Sequence, residues 1–231
     1  MATLIVTTSS QFAARAAQEI AARIDGAVGA HGACALAVSG GRTPIPVFHR
    51  LAAEAIPCRQ VALYFADERA VPPDHEDSNY GMVRRELLDR LPVAPRVFRM
   101  EGERTDTDAA ARTYENLLPP ALDVLVLGIG PDGHTASLFP GLAAVSESRR
   151  RVVAVPPAPV APHVPRITIT PPVIAAAREV VMLVSQGERA DVVARALAGS
   201  GDPRDCPARL ARDGTWILTE DAASQLQRGG D

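Results

Sequence analysis

The chain contains no lysine: all 24 of its basic residues are arginine. Alanine and arginine are both heavily used, which points to genomic bias as the cause, but the chemical consequence holds whatever the cause. A Schiff-base lysine is impossible, and this excludes lysine-dependent aldolases, transaldolases and pyridoxal enzymes. The lysine of a Walker-A phosphate loop is excluded with it. Cysteine is scarce as well. Cys34, Cys58 and Cys206 are odd in number, lie far apart and form no C-x-x-C pair. Neither a zinc knuckle nor a disulfide framework is expected, and a reducing, cytoplasmic setting is the default. Long hydrophobic runs are also missing. Leu4-Ile5-Val6 is too short for the apolar core of a signal peptide, and nothing approaches the roughly 20 apolar residues of a membrane span. A net charge of −3 leaves no basic footprint, so neither nucleic acid nor a membrane is expected as a partner.

What is present suits one ordinary domain spanning residues 1–231, with 47% apolar and 22% charged residues. Short apolar runs alternate with amphipathic stretches. Leu4–Thr7, Cys34–Ser39, Val61–Ala66, Val124–Leu127, Val152–Val155, Arg166–Thr170, Val180–Ser185 and Thr215–Leu218 read as strands. Between them, Ser9 or Ser10 caps a helix whose Phe12, Ala16, Ile20 and Ile24 share a face. A second helix is expected from Pro44, and a third capped by Ser78 carries Tyr80, Val83, Leu87 and Leu91. A fourth covers Glu188–Leu197 and a last one follows Thr219. Strands buried on both faces read as continuous apolar runs. Repeated β-α alternation therefore predicts an α/β fold: a doubly wound, mostly parallel sheet with helices on both faces, a Rossmann-like three-layer sandwich. The proline-rich Pro156–Pro165 is expected as a stiff loop within the domain rather than a linker. The Arg149-Arg150-Arg151 run is expected on a solvated face.

Ligands of open α/β sheets bind beyond the carboxyl ends of the strands, and three loops there carry chemistry. The first is Ser39-Gly40-Gly41-Arg42-Thr43-Pro44. Its glycines let backbone approach a ligand closely. With Thr43 as N-cap and Pro44 as first helical residue, a helix start would aim free N–H groups at an anion. Arg42 adds a forked donor suited to phosphate. The second loop, Asp67-Glu68-Arg69, sets two carboxylates and a guanidinium after a buried strand and runs on to Ser78-Asn79. The third is Gly128-Ile129-Gly130-Pro131-Asp132-Gly133-His134-Thr135, which contains the letters of a dinucleotide fingerprint. That fingerprint wants an acidic residue about 20 positions on, at the end of the next strand; here that strand ends in Pro156-Pro157. His134 is instead the best general-base candidate, since an ordinary imidazole is available in neutral form near pH 7. Asp132, Asp67 or Glu68 could orient it, and the last two are the next candidates for the base itself. His31, His49, His75 and His163 show no H-x-x-x-H or H-x-H spacing, so no metal is expected. No G-x-S-x-G elbow offers a serine nucleophile.

SGGRTP, DER with a downstream SN, and GIGPDGHTASLFPG together resemble the 6-phosphogluconolactonases. PRITIT, the Gly187-Glu188-Arg189-Ala190 turn and the closing WILTEDAA stretch are similar to that family too, in the same order along nearly the whole chain. The resemblance implies cofactor-free hydrolysis of 6-phosphogluconolactone in the oxidative pentose phosphate pathway, with a phosphorylated sugar lactone as partner and a monomer or weak homo-oligomer as the assembly. It places phosphate on Gly40, Gly41, Arg42 and Thr43, with Arg69 approaching from the second loop. His134 would activate water, and Arg166 would lie near the substrate or position its loop. Ser39, Asn79, Gly130 and Arg189 complete the implied substrate-binding set. The family often has serine at the place of Arg42 and lysine at that of Arg189; arginine keeps charge there but changes shape. The related glucosamine-6-phosphate deaminases share the phosphate turn but continue past glycine-histidine with phenylalanine-asparagine-glutamate-proline. Here Ser137-Leu138-Phe139-Pro140 follows, with no glutamate before Glu147. A non-catalytic sugar-phosphate sensor would keep the turn without needing His134.

Overall fold

The structure, a computed structural model, describes residues 1–226. Seven strands build the central sheet: β1 (Thr3–Thr7), β2 (Cys34–Val38), β3 (Val61–Phe65), β5 (Arg96–Val97), β6 (Val124–Gly128), β9 (Glu179–Val184) and β10 (Thr215–Thr219). Their order is β1-β10-β9-β6-β2-β3-β5 and every pairing is parallel. Strand alternation divides the core in two. Leu36, Val38, Leu63, Phe65, Val124, Val126, Val181, Leu183 and Ile217 face one layer. That layer holds α1 (Ser9–His31), α2 (Ile45–Leu51) and α3 (Asn79–Glu86). Ala37, Tyr64, Leu125, Leu127, Met182, Val184, Trp216 and Leu218 face the opposite way. There they meet α4 (Thr107–Glu115), α5 (Pro171–Ala176) and α6 (Ala190–Leu197). Apolar side chains at consecutive positions, pointing to opposite faces, are what a doubly covered parallel sheet requires. The expected α/β architecture is present. Among the described residues no helix is long and apolar enough to cross a membrane.

Several local readings hold. Phe12, Ala16, Ile20 and Ile24 of α1 are all buried. Ser78 caps α3, its Oγ accepting the Gly81 N–H at 3.0 Å. Other expectations need correction. The Val152–Val155 and Arg166–Ile169 strands, β7 and β8, leave the main sheet and pair antiparallel. With β4 (Asp67–Arg69), which the sequence reads as loop, they form a second sheet in the order β4-β8-β7. The helix expected after Thr219 is replaced by turns through residue 225 and a bend at 226; residues 227–231 lie outside the described residues. Glu188 lies in a single 3-10 turn, and α6 proper starts at Ala190. Helices α4 and α5 are additional.

The chain runs rightward from β2 to β3 and β5, then returns to the other side of β2 as β6 and continues to β9 and β10. Neighbouring strands β2 and β6 therefore flank the switch point, where two diverging connections leave an open crevice. The first and third glycine-rich loops leave their carboxyl ends.

Candidate active site

Sequence-chosen residues meet in one cleft at this switch point. It is lined by Ser39, Gly40, Gly41, Arg42, Thr43, Asp67, Arg69, Asn79, Gly130, His134, Arg166 and Arg189, together with Pro131, Ala136, Leu183 and Gln186. Two of the chosen residues, Glu68 and Asp132, do not line it.

The first loop ends β2. Ser39 remains in the ladder, its N–H donating to Val126 O at 3.0 Å. Gly40 must be glycine because a Cβ there would sit 1.8 Å from Asn79 Oδ1. Gly41 has φ +98°, a left-handed conformation that favours glycine. Among the described residues no backbone N–H from Gly40 to Thr43 donates to a protein acceptor. The helix starts one residue later than expected: Pro44, not Thr43, is the N-cap, and its carbonyl takes the Phe48 N–H at 2.8 Å. The Thr43 side chain makes no capping bond and lines the cleft instead.

Glu68 is turned away from the chemistry. Its carboxylate accepts Asn79 N–H at 2.7 Å, Tyr80 N–H and Arg69 N–H at 2.8 Å, and Ser78 Oγ–H at 3.0 Å. A helix start exposes unpaired N–H groups and the positive end of its dipole, and a buried carboxylate satisfies both. Burial pushes its pKa up despite those donors. As a candidate base Glu68 is therefore corrected to a brace for α3, which carries Asn79 into the cleft. Asp67 does face the cleft. Ser137 Oγ–H donates to its Oδ2 at 2.6 Å, and Asn79 Nδ2 donates to its backbone O at 2.9 Å and Oδ1 at 3.2 Å.

The third loop carries the titratable pair. A turn brings Gly133 N–H to Gly130 O at 3.1 Å, and Gly130 N–H reaches His134 O at 2.8 Å. His134 Nδ1 lies 2.6 Å from Asp132 Oδ1, and its backbone N–H donates to the same oxygen at 3.1 Å. Against Asp132, burial raises the pKa, but the His134 hydrogen bond and charge together with backbone N–H donors hold it below the ordinary carboxylate range. The partner left open by sequence is thus Asp132, not Asp67 or Glu68. In a neutral ring, an Nδ1–H donated to that carboxylate leaves the lone pair on Nε2. The ring packs against Phe139 at 4.6 Å and is 19% exposed. Gly130 makes room for it: a Cβ there would lie 2.1 Å from ring atoms. Two turns, rather than a helix, follow this loop, and Thr135 bridges Leu138. A dinucleotide fold needs a helix N-terminus at that place, so the fingerprint is only a likeness of letters.

Four guanidinium groups and one carboxylate line the cleft: Arg42, Arg69, Arg166 and Arg189 against Asp67. Arg166 is 3% exposed, sits 5.5 Å over the Phe139 ring and donates Nη2 to Pro162 O at 3.1 Å. Burial pulls its pKa down, while Asp67 pulls it up. Arg69 donates Nη1 to Asp77 O at 2.5 Å. The Nε groups of Arg69, Arg166 and Arg189 and the Ser39 Oγ are buried without a protein partner. Such groups each cost about 1–3 kcal/mol when unsatisfied, and the residues that carry them all line this cleft. A multivalent oxyanion fits them. No cluster of three or more metal-ligating side chains occurs among the described residues.

Gln186 and Ala136 were missed from sequence. Gln186 follows β9 and obeys the same strand-end rule that found the other loops. Ala136, at φ +49°, is a left-handed alanine in the cleft wall, and nothing in its sequence context announces that.

By class, then, this is a doubly wound α/β protein whose switch-point cleft sets four arginines beside an aspartate-bonded imidazole. The chain belongs to the family of glucosamine-6-phosphate isomerases and 6-phosphogluconolactonases, which it matches over residues 7–219. It is 39% identical over 241 residues to a 6-phosphogluconolactonase of Mycobacterium tuberculosis, covering 96% of this chain and 97% of that one. The structure of 6-phosphogluconolactonase from Trypanosoma brucei superposes with a TM-score of 0.87 at 29% identity, over 98% of this chain and 99% of the other. A monomeric glucosamine-6-phosphate deaminase shares the fold, with a TM-score of 0.83 at 22% identity over 97% of this chain and 99% of the other.

Proposed function

We propose that the chain hydrolyses 6-phospho-D-glucono-1,5-lactone to 6-phospho-D-gluconate, the lactone-opening step of the oxidative pentose phosphate pathway, with His134 as general base. The observation that carries this reading is His134, bonded to Asp132 at 2.6 Å and lining a cleft together with four arginines. The phosphate sits against the Gly40–Thr43 backbone and the arginines, which fixes the sugar ring and supplies the proximity part of catalysis. His134 Nε2 takes a proton from a water as its oxygen attacks the C1 carbonyl. Asp132, held ionised, stabilises the imidazolium. The guanidinium-rich cleft stabilises the negative charge that develops on the carbonyl oxygen. The C1–ring oxygen bond then breaks, and the imidazolium returns its proton to the departing ring oxygen. No step calls for a metal or cofactor. Asp67, an acceptor among donors, suits the sugar hydroxyls.

The family also contains glucosamine-6-phosphate isomerases, whose ring chemistry uses a glutamate. Among the described residues no glutamate lines this cleft. Glu68 is spent on α3, and Glu147 is half-buried, outside the cleft, and holds the N–H groups of Arg149 and Arg150 at 2.7 and 3.0 Å. A non-catalytic sugar-phosphate sensor would have no use for an Asp-oriented base.

Proton release from freshly made 6-phosphogluconolactone tests the proposal, measured above spontaneous hydrolysis. His134→Asn keeps size and hydrogen bonding but not basicity, and is expected to lower kcat by roughly 10²–10⁴ with KM little changed. A parent chain that adds nothing to the spontaneous rate refutes the activity. A variant that keeps parental kcat refutes the base.

A further inference from the structure

We infer that Arg195, outside the cleft, is a positioning residue for the His134–Asp132 pair; the inference rests on the reading of His134 as base. Arg195 lies on the exposed side of α6 and does not line the cleft. Its Nη2 donates to Asp132 O at 3.2 Å. Among the described residues this is the hydrogen bond that the Asp132 carbonyl accepts. The same nitrogen lies 3.2 Å from where a Cβ on Gly133 would be, beside Cys206 Sγ at 2.9 Å. The guanidinium therefore packs over the Asp132–Gly133 peptide as well as bonding to it.

This contact adds a hold from outside the turn to those within it. Asp132 follows Pro131 in a tight turn and precedes Gly133, which has φ +95°. Glycine imposes little torsional restraint of its own, so the peptide between them is held by its two polar ends: its N–H on Gly130 O at 3.1 Å and its carbonyl on Arg195. Rotation there would swing the Asp132 carboxylate off His134 Nδ1. On the far side Ala208 N–H donates to Gly133 O at 2.9 Å, so the two successive carbonyls are held from two elements. Arg195 is itself anchored: Arg209 donates to Arg195 O at 2.5 Å and to Ala198 O at 2.8 Å, tying down the end of α6. The carboxylate thus depends for its aim on a side chain that never meets substrate.

Two substitutions separate charge, donor and packing. Arg195→Met keeps length and apolar contact but loses the donor; Arg195→Lys keeps a charged donor. Arg195→Met is expected to lower kcat about tenfold, the scale of a sub-ångström misplacement of a catalytic group, with KM unchanged. Arg195→Lys is expected to recover most of the loss. In the proton NMR spectrum the His134 Nδ1–H, bonded at 2.6 Å to Asp132, gives a far-downfield resonance that should move upfield in Arg195→Met. A general loss of stability would not move this signal in the folded protein. Parental kcat in Arg195→Met, an equal effect on KM, or a lowered kcat with an unmoved resonance would each overturn the inference. His134→Asn is assayed alongside. If that variant keeps parental kcat, it is the base assignment that fails, and the resonance still reads the positioning by itself.

Discussion

Adding one methyl group at Gly130 should disable the protein without touching a charged residue. A Cβ at this position would lie 2.1 Å from both Cε1 and Nδ1 of His134 and 2.7 Å from Nε2. Non-bonded heavy atoms rest at about 3.5–4.0 Å, so the ring must retreat by about 1.4 Å. Gly130 is not in a left-handed conformation, so alanine meets no backbone penalty and the clash is the whole effect. The backbone cannot yield easily. Gly130 N–H is bonded to His134 O at 2.8 Å, Gly133 O to Ala208 N–H at 2.9 Å, and Thr135 Oγ1 to Gly128 O at 2.8 Å. The ring also rests on buried Phe139. It must therefore slide along the one open direction, into the cleft, and give up its bond to Asp132. A displacement of about 1 Å in a catalytic group can cost 10²-fold. Gly130→Ala is thus expected to lower kcat by about 10² in the lactonase assay. Because the loss acts through His134, adding Gly130→Ala to His134→Asn should cost little more, as for residues that act as a unit. A Gly130→Ala variant within about threefold of parental kcat would refute the reasoning, and full additivity in the double variant would show that the methyl acts elsewhere.

Two further outcomes follow from the cleft. Arg69→Ala removes a charge-assisted donor worth about 1.5–3 kcal/mol and should raise KM for the phosphorylated lactone at least about tenfold. Unphosphorylated gluconolactone should be a poor substrate and little affected; equal use of both lactones by the parent would show that the arginines do not seat phosphate. The depressed pKa of Asp132 means that its ionised form stabilises the fold above the ordinary aspartate range, about pH 4, and that this contribution fades as pH falls through the lowered value. Asp132→Asn should accordingly melt below the parent at pH 7, with the gap closing on acidification below the ordinary aspartate range; a gap that widens on acidification would contradict the assignment.

Local sequence settled whatever depends on near neighbours. Continuous apolar runs announced doubly covered strands, the i+4 face of α1 was legible at Phe12, Ala16, Ile20 and Ile24, and Ser78 declared its cap. The strand-end rule then gathered Arg42, Arg69 and His134 before any of them could be placed in space, and the family resemblance added Arg189. Helix α4 escaped because its buried face is Ala110, Ala111 and Tyr114, and alanine gives little periodic contrast. Helix α5 escaped although Pro171 at its first turn is a start signal.

Only tertiary structure decided the rest, because it depends on pairings that no local pattern encodes. The residues Asp67–Arg69 look like catalytic loop until β8 supplies an antiparallel partner. That pairing is what points Asp67 at the cleft and Glu68 at the N-terminus of α3, since adjacent side chains on a strand face opposite ways. The Ser137 hydroxyl that reaches Asp67 from 70 residues away was fixed only when packing brought the ends of β3 and β6 together. The sequence by itself determined which chemical groups were available; long-range packing decided which of them faced one another.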